Sequence, residues 1–500
     1  MKKIKSILHK RKSFLLIFLF LGLLTALFTP NSFKGKVPVQ SDIVQFKGAA
    51  SEATAYYKNN DERILWTNSL FGGMPTYVIN NPGGRTIIKH LKLPSKPRIW
   101  AQLFLYTFCA FIMLISFKVR PWLAVIGAIA IGFATENFTI LAVGHNTKAA
   151  AIGYLPLVLA GCQFLFRKKW LLGLTVLSAG FALQIYVNHV QITYYGSFMV
   201  VLFFVFQLAK HYKEKSLKDY AMAACLALLG AGIALGANSL NLLMLQEYAT
   251  ESIRGKSALT MTKGDEVKSD NGLSKDYTFS YSNGWTDIGA TIIPNYSGGD
   301  SDKLGLYYGQ IGSTSGPKYI GATIFILMIL GLVLVKGPQK WWLITVMLLT
   351  LVLSMGGNHF TSINTFMYEH FPLYNKFRAP SMMMVLVQIS SGLLAILGLE
   401  QLFRNSKLAK EEFKKLKIAG ISGIAILVLL TFTGTMLNDF SSTPQEDENG
   451  QVVYDADTRY AQSVIQRQGA EANTANINRF KEQLVEMRID AMKKDGYISI

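Results

Sequence analysis

Eight polar side chains in this sequence stand at or near the ends of long apolar runs: Asp42, Gln45, Glu136, His145, Lys148, His189, Arg254 and Arg378. Asp42 and Gln45 lie in "SDIVQF", Glu136 in "ATENF", His145 and Lys148 in "GHNTK", and His189 in "YVNHVQITYY". Arg254 closes "QEYATESIRG" and Arg378 sits in "NKFRAP". Their types divide between proton chemistry and anion binding. A carboxylate or an imidazole can take a proton from a reacting hydroxyl, and Lys or Arg can hold an anion through charge-assisted hydrogen bonds. Ionisable groups at membrane depth are expensive to keep, which makes them functional candidates by default.

Each of these residues also has a plainer account. Asp42 alone reads as a solvated loop residue, because carboxylates are usually exposed. A single His such as His189 is more often a hydrogen-bonded structural residue than a base or ligand. The tyrosines of "ITYY" fit an interfacial aromatic belt, and Arg378 beside Pro380 fits a helix-end anchor. Glu136 is harder to dismiss, since it falls late in an apolar block.

The elements that must position these groups are hydrophobic. Of 500 residues, 50% are hydrophobic and only 16% are charged, less than a soluble chain of this length carries. Apolar blocks fall near residues 13–29, 99–117, 121–141, 149–166, 170–186, 193–209, 220–245, 319–335, 341–355, 381–402 and 418–438. Each approaches the length needed to cross a hydrocarbon core of ~30 Å. Lipid offers no partner to backbone N–H and C=O groups, so such blocks must be helices. The fold class expected is an all-α polytopic membrane protein of about eleven transmembrane helices.

Basic runs alternate with these blocks: "MKKIKSILHKRK", "KVR", "RKK", "KHYKEKSLK", "KGPQK" and "RNSKLAKEEFKKLK". The short connections on the opposite side hold only Lys148, Lys376 and Arg378. This asymmetry places the N-terminus in the cytoplasm, and it explains the net charge of +19 without a nucleic-acid partner. The chain then divides into a cytoplasmic basic N-terminus (1–12), a transmembrane domain (13–438) and an external acidic tail (439–500). Two long external loops, 30–98 and 246–318, interrupt the domain. Amphipathic spacing marks "QFKGAASEATAYYKN" in the first loop, and a helix is expected near 477–494 in the tail. The first apolar block lacks an A-x-A-like cleavage site and reads as a retained helix rather than a signal peptide.

Several activities lack their motif. Cys109, Cys162 and Cys225 all lie in apolar blocks, so no external disulfide framework is expected. "GHNTKA" lacks the spacing of a phosphate-cradling loop, and neither C-x-x-C nor H-E-x-x-H occurs. An ATP-driven pump and a metalloprotease are therefore disfavoured. The cofactor is unknown: a divalent metal is compatible with the chemistry, but no ligand motif calls for one.

Longer motifs carry a resemblance. "SDIVQF", "WTNSLFGGMPTY", "GHNTKAAAIGYLPLVLAG", "NHVQITYY", "SLNLLMLQEYATESIRGKS", "TSGPKYIGA" and "NKFRAPSMMMVLVQ" span nearly the whole chain. In them the sequence resembles the YfhO-type bacterial membrane proteins, particularly those of Bacteroidetes, which are placed in the glycosyltransferase C superfamily. The resemblance implies a glycosyltransferase C-like fold in the bacterial cytoplasmic membrane, with its active site on the outer face. It also implies a polyprenyl-phosphate sugar donor and an envelope glycan or lipid acceptor. An acid is implied in the first external loop, where Asp42 stands, and a second near the next outer turn, where Glu136 is the positional match. A cation is implied for the lipid phosphate: Arg378 first, with Lys148 and Arg254 as alternatives. Gln45, His145 and His189 complete the substrate-binding set. Relatives continue into further spans and an external domain after a segment like "FKEQLVEMRIDAMKKDGY", whereas this chain stops at Ile500, so a truncated C-terminal region is expected.

The competing reading is a lipid or glycan transporter, or an envelope-assembly scaffold. A transporter keeps charged or broken helices at the midplane. Here the span interiors carry almost no charge and the polar residues gather at one face, which favours surface chemistry.

Overall fold

The computed structural model describes residues 2–79, 88, 91, 96, 98–256, 272–301, 306–312, 314, 316–404, 410–442, 444–446 and 452–500. Much of the Gly- and Pro-rich end of the first loop, and residues 257–271 of the second, lie outside this set. Helices form nearly all the regular structure. Two short antiparallel ribbons, β1–β2 (Trp66–Thr67 with Met74–Pro75) and β3–β4 (Gln445–Glu446 with Val452–Tyr454), are the strands among the described residues.

The chain forms two compact units. The first comprises Met1–Phe133 and Ile140–Gly272, and the second Ala134–Thr139 and Leu273–Ile500. In chain order the first unit carries α1 (Lys2–Phe28), α2 (Pro30–Phe33), α3 (Ser41–Ala49), α4 (Ser51–Asn60), α5 (Arg98–Ser116) and α6 (Pro121–Gly132). Next is α7 (Thr135–Val143), whose start belongs to the second unit. The first unit then resumes with α8 (Asn146–Phe166), α9 (Trp170–Tyr186), α10 (Val190–Lys213), α11 (Leu217–Ala237) and α12 (Ser239–Thr250).

Helix α8 is the axis of the first unit and is buried along almost its whole length. Gly161 lets α9 press against it: a Cβ there would lie 2.5 Å from the Leu177 backbone. Helix α5 packs on another side of α8 and receives α1 through an aromatic ladder. In that ladder Phe18 meets Phe104 and Phe108 edge-on, Trp100 stacks on Phe104, and the Trp100 indole N–H donates to the Gly22 carbonyl. Helices α10 and α11 leave most of their apolar surface uncovered. Water would penalise so large an apolar patch, whereas lipid does not.

The second unit continues with α13 (Lys275–Phe279), α14 (Trp285–Gly289), α15 (Ala322–Leu334), α16 (Pro338–Ser354) and α17 (Thr361–His370). Helices α18 (Met384–Arg404), α19 (Lys410–Leu437), α20 (Ala456–Arg467) and α21 (Thr474–Ser499) complete it. Helix α18 is its buried axis, with α15 and α16 packed around it. Gly398 faces Gly331 across the α15–α18 contact, where a Cβ would lie 2.7 Å from the Gly331 Cα.

Six helices among the described residues are long and apolar enough to cross a membrane: α5, α8, α10, α11, α18 with its short lead-in, and α19. The pair α6–α7, bent by 45°, makes up to seven, and α1, α9, α15 and α16 are shorter apolar helices. This is an all-α, multi-pass membrane protein.

Three expectations are refined. The block 121–141, read as one span, breaks after Gly132, so Glu136 lies in the first turn of α7 rather than late in a continuous helix. The block 220–245 breaks at Asn238, whose amide donates to the Ala182 and Ala234 carbonyls in the helix ladder. The tail is more than one helix: α20 and α21 pack on each other, and α21 packs on α19. Its core gathers Ala290, Ile293, Tyr296 and Tyr308 from the loop with Phe440 and Met492. A buried two-pronged ion pair locks it, with Arg488 Nη2 to Asp457 Oδ1 at 2.6 Å and Nη1 to Oδ2 at 2.9 Å.

Candidate functional site

The first unit gathers several of the polar candidates at one turn. Gly144 takes φ +101°, which a residue with a Cβ would adopt only under strain. It also makes room, since a Cβ there would lie 2.9 Å from Gln40 Cβ and 3.1 Å from Ile43 Cγ1. Helix α3 therefore starts directly against the 141–145 turn. Gln40, its buried N-cap residue, donates its side-chain amide to the Leu141 carbonyl. Asp42 falls in the first turn of α3, where the helix N-terminus favours a carboxylate.

That docking brings Asp42 to His145, the N-cap residue of α8, with Oδ2 2.7 Å from Nε2. The two side chains are 39% and 42% exposed. So open a pair adds little to stability, but a substrate can reach it. Lys148, in the first turn of α8, is buried to 8% exposure.

His189 caps the next turn, at the start of α10. Burial first, and then the positive charge of Lys148, push its imidazole down to about 3. It is therefore neutral at physiological pH, and its buried Nδ1 has no hydrogen-bond partner among the described residues. Asp42, His145, Lys148 and His189 thus form one cluster drawn from three separate stretches of sequence. Gln45 is exposed on α3, and Arg254 is half-buried in the turn after α12, its backbone N–H on the Ser252 hydroxyl.

The second unit holds the other two candidates. Glu136 is buried at the head of α7, its carbonyl accepting from the Thr139 hydroxyl, while the Thr135 N–H donates to the Tyr319 carbonyl. Arg378 lies over the rings of Tyr277 and Tyr281, 5.1 and 5.7 Å from their centroids. Its Nη1 donates to the Tyr277 hydroxyl at 2.7 Å. The guanidinium is thus held by two cation–π contacts and a hydrogen bond at once.

Other residues emerge only from the structure. Lys36, Lys47, Lys96 and Arg98 line a cavity of about 540 Å³ in the first unit. Being Lys and Arg in a loop already rich in charge, they gave no local signal. A second cavity of about 500 Å³ lies among α8, α9, α10 and α11, with Leu155, Phe181, Val200 and Phe204 in walls that are almost wholly apolar. Gln184 and Thr193 are among its few polar lining residues, and the buried Thr193 hydroxyl has no partner among the described residues.

Asp287 anchors the loop of the second unit. It accepts from the Gly284 and Gln310 N–H groups and from the Tyr307 hydroxyl at 2.8 Å. Burial raises its pKa, against the pull of these hydrogen bonds and of Lys318. Among the described residues no three His, Cys, Asp or Glu side chains gather closely enough to hold a metal ion. In comparisons with known proteins, no family model, no curated protein and no solved structure matches this chain.

Proposed function

We propose that this chain is a YfhO-type integral membrane glycosyltransferase of the bacterial cytoplasmic membrane, with eleven spans and a cytoplasmic N-terminus. It moves a sugar from a polyprenyl-phosphate donor to an envelope glycan or lipid acceptor on the outer face. The observation that carries the reading is the Asp42–His145 pair, solvent-accessible and seated at the end of the most deeply buried helix of its unit.

In the proposed reaction an acceptor hydroxyl oxygen attacks the anomeric carbon of the donor sugar. The bond from that carbon to the phosphate oxygen breaks, and the phosphate leaves with the bonding electron pair. The hydroxyl proton passes to the Asp42–His145 pair, where the imidazole takes it and the carboxylate stabilises the imidazolium. Imidazole is the side chain most often used as a general base, and a carboxylate beside it stabilises its protonated form. Lys148 supplies positive potential beside the pair, and neutral His189 can hydrogen-bond to a sugar hydroxyl without adding charge. Glu136 and Arg378 belong to the second unit and are separate candidates, the latter presented by Tyr277 and Tyr281.

The test is direct. Purified protein given polyprenyl-phosphate sugars should release free polyprenyl phosphate, and Asp42→Asn should suppress that release. Donor that stays intact across a panel of sugars and acceptors would refute the proposal.

A further inference from the structure

The cavity of about 540 Å³ in the first unit is built like an anion site. Lys36 and Lys47 reach it from the segment around α3, and Lys96 and Arg98 from the start of α5. No carboxylate is among its described lining residues, so four cations share the lining with no acid in the wall to neutralise them. Crowded like charges repel, and a bound anion would reverse the sign of that interaction.

The wall also holds unspent hydrogen-bonding capacity. Gln102 lines the cavity and points its Nε2 toward the Asn146 carbonyl at 3.5 Å. Its buried Oε1, and both side-chain amide atoms of Asn146, have no partner among the described residues. Buried polar atoms are normally satisfied, so a cluster of unsatisfied ones beside a cavity points to a polar occupant. The lining also has apolar members, Ile43, Ile99, Leu105, Ala150 and Val187.

We infer that this cavity binds a phosphate or diphosphate group, with the apolar lining residues favouring one attached to a hydrocarbon chain. The inference rests on the proposed donor class and assigns its phosphate to these residues rather than to Arg378. The placement is coherent with the reacting pair. Gln40, Ile43 and Lys47 form one face of α3 toward the cavity, while Asp42 on the same helix meets His145. Helix α8 likewise gives Ala150 and Tyr154 to the cavity, about one and a half and two and a half turns beyond His145.

The experiment measures binding by the full chain in phosphatidylcholine nanodiscs, with farnesyl phosphate, farnesol and inorganic diphosphate as probes. Farnesyl phosphate should bind saturably and farnesol should not. Lys47→Ala and Arg98→Ala, both exposed side chains, should each raise the Kd about tenfold or more, because each removes a charge-assisted contact. Asp61→Asn, at an exposed carboxylate of the same loop, should leave the Kd unchanged, and because binding is read without turnover this site can stand even if the turnover proposal falls. Saturable binding of inorganic diphosphate alone, lost in the same two variants, would support the phosphate site and identify a water-soluble ligand. Equal binding of farnesol and farnesyl phosphate would overturn the inference. So would a Kd that is indifferent to a Lys47→Ala/Arg98→Ala double variant whose thermal unfolding matches the parent.

Discussion

Asp42→Asn separates the catalytic reading from the ordinary one more cleanly than any other substitution. Asn is isosteric, and its Oδ1 can still accept from His145 Nε2 across the present 2.7 Å, so the docking of α3 should survive. What disappears is the negative charge that stabilises an imidazolium. General-base contributions are typically ~10²–10⁴-fold, and at ~1.4 kcal/mol per decade this is about 3–5 kcal/mol of barrier. The stability change should be far smaller. Both partners are about two-fifths exposed, and open ion pairs are worth roughly 0–1 kcal/mol.

The assay is release of polyprenyl phosphate by purified protein, read beside thermal unfolding of the same preparation. A control acid must come from the same loop and carry no structural duty. Glu52 fails that requirement. It accepts from the Thr67 hydroxyl at 2.5 Å, the Asn68 N–H at 3.1 Å and the Ser69 hydroxyl at 3.0 Å, and these bonds, Thr67 first, hold its pKa below the usual range. Asp61 is suitable: it is exposed at the end of α4 with φ 51°, a conformation that Asn also tolerates. Turnover reduced equally and mildly in Asp42→Asn and Asp61→Asn would show that the pair does no chemistry.

Three further outcomes are expected. Arg378→Lys keeps the charge but loses the guanidinium's contacts with Tyr277 and Tyr281, so the KM for a substrate should rise severalfold, and more in Arg378→Ala; an unchanged KM in both would leave Arg378 as packing alone. Because the folded-state pKa of His189 is about 3 against an ordinary 6.5, the unfolded chain binds the extra proton between those values. Stability should therefore be full above about pH 6.5 and decline as the pH falls toward 3, and His189→Asn should flatten that slope in acid unfolding curves; an unaltered slope would contradict the assignment. Arg488→Met leaves Asp457 buried without its partner, which should cost about 3–5 kcal/mol and expose α20–α21 to limited proteolysis, and a tail as resistant as the parent's would refute the role given to this pair.

The sequence by itself determined the class of the molecule. Apolar blocks near span length can satisfy their backbone only as helices in lipid, and the structure covers them with helix, two of them in two pieces. Six helices among the described residues are long and apolar enough to cross a membrane. Helix breaks were less legible. Asn238 interrupts a run that reads as continuous because its amide finds the Ala182 carbonyl on a neighbouring helix, a partner with no local signature. The tail suggested a helix near 477–494, but not the buried Asp457–Arg488 pair that fixes it, because 31 residues separate the two.

The candidate site divides in the same way. Asp42, His145, Lys148 and His189 could each be singled out as polar residues beside apolar runs. Only the tertiary structure decided that the first two touch, through a glycine at 144 that lets α3 lie against the turn. It likewise decided that Glu52 is a loop clasp, that Arg378 is stacked on tyrosines, and that Lys36, Lys47, Lys96 and Arg98 share a cavity. Periodicity and composition report what a segment must do to be soluble in lipid. Which side chains meet depends on how the helices pack, and packing is set by contacts between residues remote in the chain.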